Sequence, residues 1–125
     1  MLLSRKFGCD PEMAVDVLEH AQGLGLEAAG VSFHVGSQQR RTAAWDEALK
    51  SAAAIFRACA DRGINLSMVN LGGGFPTKYL RDVPAVESYG RSIFRALRKH
   101  FGNRIPETII EPGRGMVGNA GMIET

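Results

Sequence analysis

Val69-Asn70-Leu71-Gly72-Gly73-Gly74-Phe75-Pro76 is an apolar strand that runs into three glycines and turns at a proline. Glycine lacks a Cβ, so such a run can take positive φ and admit a ligand close to the backbone. Successive bare N–H groups can also form an anion-binding nest. In open and barrel α/β folds, a strand ending in a loop of this kind is where phosphates bind. Residues 30–38 and 109–115 are built the same way, so three strand ends point to one phosphorylated ligand. A tight turn with no ligand is the alternative for the glycine run by itself.

Working outward, each strand end is preceded by a helix-forming segment. Asp10-Pro11 is a helix start, with Asp10 as N-cap and Pro11 in the first turn. Met13, Val17, Leu18 and Ala21 follow at helical spacing, and Gly23 and Gly25 stop the helix. Residues 28–35 are apolar and partly β-branched, a buried strand that ends in the polar run His34-Val35-Gly36-Ser37-Gln38. Thr42 caps a helix over residues 43–62, with Trp45, Ala48, Leu49, Ala52, Phe56 and Cys59 as its apolar stripe and Gly63 as its stop. Residues 64–71 form the next strand. A third helix covers residues 85–101, with Val86, Tyr89, Ile93, Leu97 and Phe101 inward. A third buried strand, residues 108–111, ends in Pro112-Gly113-Arg114-Gly115. Residues 1–7 read as a short strand and residues 116–123 as the beginning of another. Strands alternating with helices imply a parallel sheet with right-handed crossovers.

Composition sets wide bounds. The chain has 125 residues, 45% hydrophobic and 22% charged, with a net charge of +2. That is the balance of an ordinary globular domain and too little charge to argue for nucleic acid or an acidic membrane. Arg40-Arg41 and the group Arg95, Arg98, Lys99 and His100 read as solvated faces. No apolar run approaches the ~20 residues of a membrane-spanning helix, and the start lacks the apolar core of a signal peptide. Cys9 and Cys59 have no CxxC partner, suit a reducing cytoplasm and read as structural.

The chemistry-bearing residues stand at the strand ends. Ser37 beside Gly36 offers a hydroxyl to a phosphate oxygen, or shapes an ordinary turn. His34 ends a buried strand; it is either a hydrogen-bonded structural residue or a flat ring packed on a flat ligand. Glu111 ends the apolar run Thr108-Ile109-Ile110, where a carboxylate is costly unless paired. Arg114, a metal or a protonated ring nitrogen could each be its partner. Neither GxGxxG opening a helix nor GxxxxGK[ST] is present, so a Rossmann or P-loop reading is weak. No Cys/His/Asp spacing fits a zinc site.

Taken together, Gly30-Val31-Ser32-Phe33-His34-Val35-Gly36-Ser37-Gln38, Leu71-Gly72-Gly73-Gly74-Phe75-Pro76 and Glu111-Pro112-Gly113-Arg114 resemble the pyridoxal-phosphate decarboxylases of the ornithine/diaminopimelate/arginine type. Ser4-Arg5-Lys6-Phe7-Gly8 looks like the Lys-Phe-Gly strand of that family. Phe75-Pro76 is more similar to the ornithine branch, in particular the bacterial ornithine and lysine/ornithine decarboxylases. The resemblance implies an α/β fold, a partial (β/α)8 TIM barrel of the alanine-racemase-like type. A complete barrel takes ~250 residues, so about half is present. It implies that His34 stacks on the pyridine ring. Ser37, Gly73, Gly74, Gly113 and Arg114 would hold the phosphate of pyridoxal 5′-phosphate, and Glu111 would pair with the ring nitrogen.

The family's Schiff-base lysine and its later cysteine have no counterpart here. Lys6, Lys50, Lys78 and Lys99 do not match that lysine, and Cys9 and Cys59 do not match that cysteine. The expectation is therefore residues 1–125 as the central part of the cofactor-binding barrel domain, truncated at both ends, without the C-terminal β-domain and inactive by itself. The implied function is decarboxylation of a basic amino acid, foremost L-ornithine to putrescine in polyamine biosynthesis. The implied partners are a small amino-acid substrate and a second copy in a cytoplasmic homodimer, with no nucleic acid or membrane. Diaminopimelate, lysine or arginine decarboxylation is the alternative within the family. A non-catalytic decarboxylase-like binding protein is the alternative outside catalysis, and a small open-sheet α/β domain without this cofactor leaves the three motifs unexplained.

Overall fold

The computed structural model describes residues 8–35, 43–73 and 86–111. The element order is α1 (Pro11–Gly23), β1 (Gly30–Ser32), α2 (Ala43–Asp61), β2 (Met68–Asn70), α3 (Val86–Phe101) and β3 (Glu107–Ile109). The strands lie side by side in the order β1-β2-β3 and all run parallel. The strands expected over residues 1–7 and 116–123, and the Thr42 cap, lie outside the described residues.

Each regular strand is three residues long, shorter than the apolar runs predict. The ladder nevertheless continues past them. Phe33 N–H donates to the Asn70 carbonyl at 3.0 Å, Leu71 N–H to Ile109 at 2.8 Å, and Glu111 N–H to Gly72 at 2.8 Å. These bonds carry the register of the strands into the loops that hold the chemistry.

Period-two alternation divides the sheet faces. Val31, Phe33, Val69 and Leu71 face the helices and join Trp45, Leu49 and Ala52 of α2 and Tyr89, Ile93, Ala96 and Leu97 of α3 in one core. Trp45 and Tyr89 meet edge to face at 5.4 Å. A second cluster joins Val15 of α1 and Ala28 to Ile55, Cys59 and Ile64. Of the apolar stripes predicted for α2 and α3, Trp45, Leu49, Ala52, Cys59, Tyr89, Ile93 and Leu97 are buried, with Ala53, Ile55 and Ala96 added to them, and the Val86 side chain lies outside the described residues. Ala48, Phe56 and Phe101 are only half-buried.

Four expectations are corrected. On α1 the inward residue is Val15, while Met13 and Val17 are 53% and 56% exposed. The helix packs on α2 through the Val15–Leu18 side, and Arg62, just past α2, holds that orientation by reaching Asp16 and Glu19 at 3.2 Å each. The segment over residues 108–111 is not buried: Thr108 and Glu111 are exposed and Ile110 is 49% exposed. Among the described residues β3 is an edge strand. His100 is not part of a solvated face; its Nε2 lies 3.0 Å from Asp46 Oδ1 between α3 and α2. Finally, only Cys59 has a packing role, since it is fully buried and Cys9 is exposed. Among the described residues, no helix is long and apolar enough to cross a membrane.

Candidate functional site

The three strand ends form one row. Ser32, Asn70 and Ile109 are in register across β1, β2 and β3. Two residues further on, on the face turned away from the helices, come His34, Gly72 and Glu111. Register and alternation thus bring together residues far apart in sequence, at the C-terminal ends of parallel strands, where α/β folds bind ligands.

Backbone geometry explains the glycines. Gly72 has φ +67°, and a Cβ there would collide with the Phe33 carbonyl oxygen. Gly73 lets the neighbouring strand ends close in. A Cβ at that position would lie 2.8 Å from the Glu111 carbonyl oxygen and 3.6 Å from His34 Cε1. The space a side chain would fill is therefore bare backbone, with the exposed His34 ring beside it. Bare backbone at that point lets a flat ligand come close to the strand ends.

Asn70 organises the row. Its Oδ1 accepts the Gly72 N–H at 2.8 Å, and its Nδ2 donates to Glu111 Oε2 at 3.0 Å. Among the described residues, the other Glu111 carboxylate oxygen has no hydrogen-bond partner. Among the described residues the carboxylate is thus held at one oxygen only, on an exposed edge. A protonated ring nitrogen matches the other acceptor, so His34, Gly73 and Glu111 fit the ring of such a ligand.

Of the residues singled out from sequence, the structure brings together His34, Gly73 and Glu111. Ser37, Gly74, Gly113 and Arg114 lie outside the described residues. The Glu111 partner found here is Asn70, which sequence reasoning missed. Its signal was present: Asn two residues before Gly is the mark of an Asx turn, in which the side chain accepts the N–H two residues on. Among the described residues no cluster of three His, Cys, Asp or Glu could hold a metal ion. Lys50 and Lys99 sit on α2 and α3; Lys99 Nζ lies 3.7 Å from Asp46 and neither lysine belongs to the row.

Comparison with known proteins identifies the family. Residues 2–118 match the family model described as the pyridoxal-dependent decarboxylase, pyridoxal-binding domain. The lysine/ornithine decarboxylase of Selenomonas ruminantium is 39% identical over 120 residues, covering 94% of this chain and 30% of that protein. The diaminopimelate decarboxylase of Neisseria meningitidis is 36% identical over 126 residues, covering 99% of the chain and 30% of that protein. The crystal structure of lysine/ornithine decarboxylase from Vibrio vulnificus, complexed with putrescine, superposes with a TM-score of 0.79 at 32% identity over 85% of the chain and 29% of that one. The chain thus spans under a third of the length of these relatives.

Proposed function

Because the chain belongs to the pyridoxal-dependent decarboxylases, within their pyridoxal-binding domain, we propose that it is the cofactor-cradling part of an enzyme that decarboxylates a basic amino acid, foremost L-ornithine to putrescine. The observation that carries this reading is the row His34, Gly72-Gly73 and Glu111, with one carboxylate oxygen accepting from Asn70 and the other without a hydrogen-bond partner among the described residues. Bound pyridoxal phosphate supplies an electron sink for the pair left behind when carbon dioxide departs.

The chain's own residues prepare that sink. The Glu111 carboxylate holds a proton on the ring nitrogen, because a nearby negative charge favours the protonated ring. The His34 imidazole, exposed beside Gly73, would pack against the ring. Gly73 and Gly74, with Ser37, Gly113 and Arg114, would hold the phosphate through N–H groups, a hydroxyl and a guanidinium. The cofactor-anchoring lysine and the groups that read the far end of the substrate come, in this reading, from other segments of the whole protein, a cytoplasmic homodimer. Residues 1–125 are then the middle of its barrel domain.

Similarity to the lysine/ornithine enzyme over 94% of the chain supports a diamino monocarboxylic acid as substrate. Similarity to a diaminopimelate decarboxylase over 99% of it keeps that amino acid as the second reading. The test is carbon dioxide release by the whole protein from L-ornithine, L-lysine, L-arginine and meso-diaminopimelate. The proposal expects the highest kcat/KM for L-ornithine and no turnover without added or retained cofactor. Preference for meso-diaminopimelate would move the assignment to the second reading, and no release from any of the four would reject decarboxylation.

A further inference from the structure

We propose that Asn70 is a positioning residue that acts through Glu111, aiming its free carboxylate oxygen at the ring nitrogen of the cofactor; this rests on the cofactor reading above. Asn70 stands two positions before Gly72 in β2, on the same face of the sheet as the row. Its amide is used at both ends. The oxygen accepts from Gly72 N–H at 2.8 Å, which pins the amide plane. The nitrogen then donates to Glu111 Oε2 at 3.0 Å across 41 residues of sequence.

A glutamate side chain has three rotatable bonds, and Glu111 is exposed. Without a donor it would sample several rotamers, each placing its charge elsewhere. A donor already fixed by the backbone of the glycine loop removes that freedom before the ligand arrives, which is preorganisation. The hydrogen bond to Oε2 leaves the second oxygen as the acceptor for a ring N–H. One amide thereby ties the glycine turn to the acid that reads the ring.

The test compares two probes on the apoprotein of the whole protein: pyridoxine 5′-phosphate and its 1-deaza analogue, in which carbon replaces the ring nitrogen. Both carry the phosphate, and only the first can engage Glu111 through nitrogen. The expected result for Asn70→Ala is that the preference for the nitrogen ring falls about tenfold, the scale of one hydrogen bond to a charged group. Glu111→Ala should abolish the preference, and Asn70→Ala should add nothing to it in the double variant. Equal weakening of both probes by Asn70→Ala would overturn the inference, since Asn70 would then serve only the glycine turn. An undiminished preference in Glu111→Ala would instead reject the cofactor role of Glu111.

A crystal structure of the wild-type protein with pyridoxine 5′-phosphate needs no variant to fold. It should show Asn70 Nδ2 within hydrogen-bond distance of one Glu111 oxygen and the ring nitrogen within reach of the other. An Asn70 amide turned away from Glu111 would overturn the proposal.

Discussion

Glu111 and Gly72 show how differently two residues of one row are constrained. Glu111 is exposed and bonded at one oxygen, so its loss leaves the backbone row intact. The proposed role is electrostatic, and removing one preorganised group of this kind lowers kcat by roughly a hundredfold or more. Glu111→Ala in the whole protein is therefore expected to lose at least that much turnover while retaining cofactor through phosphate and ring-face contacts. Normal turnover in that variant would refute the assignment. Gly72 is constrained by the backbone. At φ +67° any side chain is strained, and a Cβ also meets the fixed Phe33 carbonyl. Gly72→Ala is expected to cost at least ~2 kcal/mol, read as a lowered thermal midpoint. The glycines and Glu111 were legible in the sequence because their residue types are unusual where they stand. The turn at Asn70 was legible too, but its bond to Glu111 was not, because that partner stands across the sheet.

At the scale of elements, helical periodicity made α1, α2 and α3 readable almost to the residue. Asp10 caps α1 as its sequence predicts, its carboxylate accepting Met13 N–H at 2.8 Å. The strands were less readable. Their apolar runs include residues that lead into and out of the ladder, and only neighbours across the sheet decide where pairing begins. Burial on α2 has a measurable consequence. Cys59 is fully buried beneath α1, and desolvation pushes its thiol pKa above the ordinary 9.0, partly offset by the Arg62 charge and reinforced by Glu19. A thiol whose folded pKa is raised stabilises the fold fully below the unfolded pKa. That contribution is lost as pH rises from 9.0 through the folded value, because the unfolded chain ionises first. The thermal midpoint of the wild-type chain should therefore fall more steeply above pH 9.0 than that of Cys59→Ala, whatever the difference in their absolute stability. Parallel slopes would show that Cys59 does not carry the alkaline loss.

For the molecule as a whole, the large exposed apolar residues among those described fall before β1, on α3 at Phe94, and just after β3. Met13 and Val17 on α1 and Leu24 and Leu26 after it all precede β1, and Ile110 follows β3. Parallel sheets are covered on both faces in α/β proteins, and a partial barrel exposes strand edges that favour pairing or aggregation. If the rest of a barrel supplies that cover and the anchoring lysine, the 125-residue chain by itself will release no carbon dioxide from L-ornithine under conditions where the whole protein does. Turnover by the isolated chain would refute its reading as one part of a larger site. The sequence by itself determined the alternation of strands and helices, the apolar stripes of α2 and α3 and the family. These depend on spacing along the chain and on residue types with few uses. Only the tertiary structure decided that Val15 rather than Met13 faces inward, that β3 is an edge among the described residues, and that Glu111 is held by Asn70. Each depends on which surfaces meet, and a hydrogen bond across 41 residues exists only once strand register has set both ends beside each other.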